Sequence, residues 1–351
     1  MEEEYYSLLP TVKFISYEVL LPIFVSVGLI ANVFAFCVWV FGPKSKSMCC
    51  AIYFAANSAV DFILLTQPPL WNDGFRESDW LLDIQRTDVT CKLFYNLYWS
   101  CYLLSTCISA IVTVERSLTI LFPFRFKCQD MRRRSKIVIV VIFILQPFIY
   151  SFSIYYMKSD YGWCTLTEEM LYVFYLTILF VYVSILMPFV VIIFFNVATV
   201  ATLLRQRIKR NGVSGRGGHA NAFTRLTIMT GISFVLSYTI MSVTKICELL
   251  EIEISDSLVV LGPLGHTMVF FNCLMNPVIC FIVCKTTRED LKSFFRVISR
   301  KIRRTCMCTQ QDVPTTDLNP GTRTLEDVYF SSGYTGSGDM SNTATMSIPR
   351  F

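Results

Sequence analysis

"VERSLTILFP", residues 114–123, sets Glu115 and Arg116 side by side in an apolar run, followed by Ser117 and, seven residues after the arginine, by Pro123. A charged side chain at the centre of a membrane span costs roughly 2.5–3.5 kcal/mol on insertion scales. The pair therefore belongs at the end of a span, and locating that end orders the rest of the chain. Arg116 stands 25 residues after Cys91, a rise of about 37 Å in a straight helix. That length puts the cysteine at one face of a bilayer and the arginine at the other.

The composition agrees with a membrane protein. Of 351 residues, 54% are hydrophobic and 16% charged, with a mean hydropathy of +0.51, whereas soluble domains carry about 25% charged residues. Apolar stretches long enough to cross about 30 Å of hydrocarbon fall near Ser16–Phe41, Met48–Trp71, Val89–Phe122, Ser135–Met157, Leu171–Leu204, Phe223–Leu250 and Leu258–Val283. The expected fold is an all-α membrane protein, a seven-transmembrane helix bundle over 16–283. It follows an N-terminal segment over 1–15 and precedes a short amphipathic eighth helix over 285–304 and a polar tail over 305–351. The acidic opening "MEEEYYSLLP" lacks the basic region of a signal peptide, so the first span is expected to act as its own insertion signal.

Loop charges orient the bundle. Lys44, Arg125, Arg132, Arg205, Lys209 and Arg300 fall on one side of the seven spans, and Glu2, Asp73, Glu77, Asp88, Asp160 and Glu251 on the other. By the positive-inside rule the basic side is cytoplasmic and the N-terminus extracellular. The basic patches therefore point to lipid headgroups and cytosolic partners, not nucleic acid. Asp61 lies in mid-span, where a carboxylate needs polar company inside the bundle. Asn32, Ser105, Asn272 and Asn276 can supply it, the last two sharing a helix face because they are four residues apart.

The stretch "ERSLTILFP" resembles the cytoplasmic end of helix 3 in rhodopsin-like (class A) G-protein-coupled receptors. Further landmarks occur in the family's order: Asn32 in "GLIANVFAF", Asp61 in "NSAVDFI", Cys91 before helix 3, Cys164 in the second outer loop, Pro188 in "LMPFVV", and Asn276–Pro277 in "NCLMNPVIC". The resemblance covers about residues 16–300. It implies a plasma-membrane receptor in which Glu115, Arg116, Pro123, Asn276 and Pro277 serve coupling to a heterotrimeric G protein. It also implies an allosteric sodium ion in the polar cluster, for which oxygen donors suit a hard cation; no other cofactor is expected. Thr106, Pro188, Phe234 and Tyr238 then form a core switch. Among the fourteen cysteines, Cys91 and Cys164 match family landmarks on the oxidising side and are expected to pair. Cys306 and Cys308, after a basic amphipathic stretch, are candidates for lipidation.

The ligand is less constrained. Tyr98 stands where amine receptors of the family have an aspartate, and Phe270 where opsins have the retinal lysine, which demotes both ligand classes. The expected ligand-facing set is Trp71, Tyr98, Trp99, Tyr102, Tyr238, Met241, Lys245 and His266, aromatic groups with polar tips that suit a largely apolar ligand with a few hydrogen-bonding groups. The acidic outer loops favour a basic ligand, and "PFVVIIFFNVATV" is similar to receptors for FMRFamide-like neuropeptides. An extracellular basic or amidated peptide is the leading expectation. The alternatives are a non-peptide small molecule or lipid, a weakly coupled or constitutive receptor, and more remotely a seven-helix transporter.

Several positions depart from the family pattern. Helix 6 reads "SFVLSYTIMSV" without the usual Cys-Trp-x-Pro, Cys280 and Asn196 replace tyrosines on helices 7 and 5, and Gln146 stands near an expected tryptophan on helix 4. The Ser- and Thr-rich tail is expected to be disordered and, once phosphorylated, to recruit arrestin. With two histidines in the chain, no metal or nucleophile-base constellation can be assembled, and an enzyme is not expected.

Overall fold

The computed structural model describes residues 9–48, 50–67, 87–122, 125, 128–151, 157–160, 163–166, 179–209, 218–249 and 261–311. Its helices are α1 (Leu9–Phe41), α2 (Ala51–Leu65), α3 (Asp88–Leu121), α4 (Cys128–Ile149), α5 (Leu179–Lys209), α6 (Gly218–Leu249), α7 (Gly262–Val283) and α8 (Lys285–Gln311). Five of them, α1, α3, α5, α6 and α7, contain segments long and apolar enough to cross a membrane. Residues 1–301 form one compact unit. The second unit, 302–351, is described only through the last turns of α8.

Local chemistry explains the helix ends and irregularities. The Thr87 side chain caps α3 by accepting from Thr90 N–H at 3.3 Å, and Asp88 puts a negative charge at the positive end of the helix dipole, an arrangement worth about 1 kcal/mol. In α1 the turns Phe14–Leu20 are π-helical and run into Pro22; in α5 the π-helical turns Leu179–Leu186 run into Pro188. A proline cannot donate to the fourth residue before it and its ring crowds that carbonyl, so the wider turn accommodates it.

The outer face is apolar. Val27, Ile30 and Val33 of α1, Ile144 and Phe148 of α4, Phe194 and Val197 of α5, and Ile232 and Leu236 of α6 are all exposed, the pattern of helices solvated by lipid. The inner core is built on α3, which packs against α2, α4, α5 and α6, while α7 packs against α1, α2 and α6.

Several boundaries differ from the apolar pattern: α1 begins at Leu9, inside the segment 1–15 expected to precede it, α5 runs on to Lys209 and α6 begins at Gly218. The fourth helix begins at Cys128, not near Ser135, because "RRRSK" is a good helical lead-in although too charged to read as a span. It ends at Ile149, two residues after Pro147, and Met157 opens a two-stranded antiparallel ribbon, β1 (Met157–Asp160) with β2 (Trp163–Leu166), in which Ser159 faces Cys164. The eighth helix continues past residue 304 to Gln311, through a stretch with no glycine or proline to end it. The segment from 312 on, expected to be disordered, lies outside the described residues.

The turn between α1 and α2 is clasped by α8. Buried Asp290 accepts from Lys44 N–H at 3.1 Å and Ser45 N–H at 2.7 Å through one carboxylate oxygen. Beside it Lys44 donates to Glu289, and Glu289 also pairs with Lys285 at 3.8 Å. The hydrogen bond from Lys44 holds the Glu289 carboxyl below its usual range and raises the Lys44 ammonium. Gly42 is required here, because a Cβ would overlap the Val38 carbonyl oxygen and lie 2.6 Å from Asp290 Oδ2. Phe295 further ties α8 to Phe34 of α1, with ring centroids 5.0 Å apart. Asp290→Ala orphans two backbone amides, a loss of about 1–3 kcal/mol. In a detergent melt it is expected to lower Tm clearly, and Gly42→Ala to do the same, whereas Lys44→Ala at the exposed pair leaves Tm nearly unchanged.

Candidate functional site: a buried polar hub, an aromatic chamber and an arginine end

At mid-depth the fully buried Asp61 carboxylate of α2 receives three hydrogen bonds. Ser105 Oγ of α3 donates to Oδ1 at 2.5 Å, and Asn57 Nδ2 and Asn276 Nδ2 of α7 donate to Oδ2 at 2.6 and 2.9 Å. Each bond to a charged acceptor contributes roughly 1.5–3 kcal/mol, and together they hold three helices on one group. Asn57 is missing from the cluster expected on sequence, although it stands four residues before Asp61, the spacing that places two side chains on one helix face.

Asn32 belongs to a second joint. Its amide donates to Gly28 O at 2.9 Å and to Cys273 O of α7 at 3.1 Å. The Cys273 carbonyl is available because the residue four positions later is Pro277, which has no N–H to offer. The proline thus opens an acceptor in α7 that the first helix occupies. Asn272 is also buried, and the amide oxygens of Asn32, Asn57 and Asn272 have no hydrogen-bond partner among the described residues.

Towards the Cys91 end lies an aromatic chamber. Tyr98 OH is 3.2 Å from His266 Nε2, bridging α3 to α7. Trp99 meets Tyr98 edge-on and stacks near Tyr150, just past the end of α4, whose hydroxyl bonds Ser184 of α5 at 2.7 Å. Tyr102 meets Tyr238 of α6 with centroids 5.9 Å apart, and Tyr238 stacks on Phe234 at 4.2 Å. Thr106, Pro188 and Phe234 are buried beneath them, and Met241 is 7% exposed. Tyr150, Ser184 and Tyr17, which faces the His266 ring at 6.2 Å, join the set that sequence reasoning assembled. Trp71, Pro123 and the side chains of Lys245, Cys164, Cys306 and Cys308 lie outside the described residues. Cys91 is fully buried and disulfide-bonded, and α3 packs against both strands of the ribbon that carries Cys164.

At the opposite end of α3, Glu115 Oε1 accepts from Tyr53 OH of α2 at 2.9 Å, and Arg116 Nη2 lies 2.7 Å from Cys50 Sγ. The next residue locks α3 to α5: Ser117 Oγ donates to Phe195 O at 3.0 Å and lies 2.7 Å from Thr199 Oγ1. Asn196 of α5 sits against Gly231 of α6, where a Cβ would overlap its amide nitrogen. A hydroxyl on α3 and an amide on α5 thus make the helix contacts here, the amide at the position where a tyrosine is expected.

The chain matches the 7 transmembrane receptor (rhodopsin family) over residues 31–280. It belongs to that family. The match takes in the hub, most of the chamber and the arginine end, and makes the protein a multi-pass membrane receptor rather than an enzyme. Among curated relatives it is similar to the Mas-related G-protein coupled receptor member X2 of Rhinopithecus bieti, 23% identical over 42% of this chain and 44% of that one. To the receptor of the same description from Mus musculus it is 25% identical, over 44% of each chain. The chain thus spans under half the length of these relatives, and neither is described as an FMRFamide-like receptor.

The Asn32–Cys273 joint yields a thermodynamic cycle. Asn32→Ala orphans the Cys273 carbonyl and is expected to lower the Tm of the wild-type receptor. In a Pro277→Ala background, where the restored backbone N–H at position 277 can reach that carbonyl, the same change is expected to cost less; equal losses in both backgrounds contradict the assignment.

Proposed function

We propose that this receptor transduces an extracellular ligand, a basic or amidated peptide, to a heterotrimeric G protein through the Arg116 end of its bundle. The observation that carries the reading is the continuity of α3: one helix supplies Tyr98, Trp99 and Tyr102 to the chamber, Ser105 to the hub and Glu115, Arg116 and Ser117 to the basic end. A ligand that re-packs the chamber acts on the same rigid element whose far end carries the arginine. Only a ligand that binds one conformation better than the other can shift their balance, and the Tyr102–Tyr238–Phe234 column, edge-on at its first contact and stacked at its second, is the contact through which α6 is freed to swing outward.

In this reading the N-terminus is outside, the receptor lies in the plasma membrane, and Cys164 is the partner of Cys91, tying the ribbon to α3. The acidic loops raise the local concentration of a cationic peptide, and Trp71 and Lys245 complete the ligand-facing set. Cys306 and Cys308 carry lipid, and the phosphorylated tail recruits arrestin. A small apolar ligand is the second reading, favoured by the burial of Tyr98, Tyr102 and Tyr238.

The hub fits a sodium ion. The Asp61 carboxylate and the Ser105 hydroxyl are hard-oxygen donors, with Asn276 adjoining, and the buried amide oxygens of Asn32 and Asn272, without a partner among the described residues, would complete the donor set in this reading. Asp61, Ser105 and Asn276 would hold such a cation, whose charge would offset that of the Asp61 carboxylate and favour the state in which α2, α3 and α7 stay together. Replacing choline chloride with sodium chloride is expected to raise the Tm of the wild-type protein and leave Asp61→Asn unchanged; an equal shift in both removes the ion from the account.

The function itself is tested in cells carrying G-protein-dissociation reporters, challenged with a library of basic and amidated peptides and, separately, of apolar small molecules. A signal evoked by a peptide and lost in Arg116→Ala at equal surface expression is expected. Signal retained by the mutant removes Arg116 from coupling, and responses confined to the small-molecule arm replace the peptide reading by the second one.

A further inference from the structure

Three thiols gather beside Arg116 that the signalling reading does not use. Cys50, at the N-terminus of α2, is 2% exposed and touches the guanidinium at 2.7 Å. Cys280, in the last turn of α7, and Cys284, at the bend between α7 and α8, are each 1% exposed. Cys284 N–H donates to the Cys280 carbonyl at 3.0 Å, which sets the two side chains one helical turn apart, and Cys280 Sγ lies 3.9 Å from Thr287 Oγ1. The two cysteines are four residues apart at a helix end, a spacing of about 6 Å between Cα atoms, within the range a disulfide spans.

The two thiols differ in chemistry. Cys284 lies beyond the end of α7. The neighbouring Cys280 thiol draws its pKa below the usual thiol value, assisted by Thr287 and by the charges of Arg116 and Arg288, against the opposing effect of burial. Thiolate character is what makes a cysteine nucleophilic, and a neighbouring thiol within hydrogen-bonding reach is what resolves the first oxidation product. Hydrogen peroxide is uncharged and close to water in size, so it suits a site with little exposure.

We propose that Cys284 and Cys280 form a peroxide-sensitive thiol pair, Cys284 attacking and Cys280 resolving. The Cys284 thiolate attacks one peroxide oxygen, forming S–O and breaking O–O; the departing hydroxide takes a proton and leaves as water. Cys280 then attacks the Cys284 sulfur, forming S–S and breaking S–O, and the hydroxyl leaves with the Cys280 proton as a second water. Two thiols are oxidised to one disulfide and one peroxide is reduced to two waters. The product staples the end of α7 to the start of α8 beside Arg116. This chemistry stands without the signalling reading; only its consequence, reduced G-protein activation, rests on that reading.

The test uses the full-length receptor in membranes, exposed to graded hydrogen peroxide, alkylated with iodoacetamide and examined by peptide mass spectrometry. The half-buried thiols Cys37, Cys107 and Cys247 serve as internal references. Accessibility alone predicts that they oxidise first. The proposal predicts instead that Cys280 and Cys284 lose alkylation together, several-fold faster than the references, with a mass lower by two hydrogens that dithiothreitol restores. Cys280→Ser is expected to leave Cys284 as a sulfenic acid captured by dimedone, and Cys284→Ser to keep Cys280 reduced. Continued alkylation of both at peroxide levels that oxidise the references overturns the proposal, as does equal oxidation of Cys280 in Cys284→Ser. A disulfide that forms with no change in the reporter signal refutes only the signalling consequence.

Discussion

A carboxylate buried in an apolar bundle is the constraint around which the other contacts arrange themselves. Asp61 has no exposed surface, and leaving a buried charge without partners costs several kcal/mol. Three donors from α2, α3 and α7 meet that demand, so the burial of one side chain dictates the mutual placement of three helices. The Asn32 joint to α7 extends the same logic to α1, using a carbonyl that Pro277 leaves open. The centre of this receptor is held by directional polar contacts, while its lipid-facing surface contributes little to specificity, because lipid tails solvate apolar side chains as well as other helices do.

On either side of the hub the contacts change character. The chamber is a column of aromatic rings, edge-on and stacked, whose re-packing involves small differences in energy. The Arg116 end is polar and cross-linked: Ser117 and Thr199 tie α3 to α5, and Asp290 ties the first turn to α8. A soft region at one end, a stiff hub in the middle and a polar lock at the other are the elements a two-state transducer needs.

Much of this was legible in the sequence for definite physical reasons. Membrane-length apolar runs announce the helices, and a lone mid-span aspartate announces a polar cluster. Ser105 and Asn276, chosen as small polar side chains in neighbouring spans, do bond Asp61, whereas Asn32 bonds the Cys273 carbonyl instead and Asn272 is buried without a bond to Asp61 among the described residues. Asn57 carried a readable signal in its four-residue spacing from Asp61. The clasp by Asp290 did not, since an acid in a basic amphipathic helix looks like an ordinary surface charge until the turn at Gly42 is folded against it. The start of α4 was hidden because charged helical residues carry no span signal, and the ribbon because its four-residue strands are too short to show alternation. Cys280 and Cys284 stand four residues apart at one helix end, a spacing the sequence shows, whereas Cys50 and Arg116 come from separate elements that only the tertiary fold brings beside them.

The most direct measurement of the central claim is hydrogen–deuterium exchange on the purified receptor, comparing the wild-type protein with Asp61→Ala. If the carboxylate organises the bundle, exchange will accelerate in α2, in α3 around Ser105 and in α7 around Cys273–Asn276, on helices far apart in sequence. Acceleration confined to the turn of α2 that carries residue 61, with α3 and α7 unchanged, would show that these helices are held by packing alone and would contradict the account.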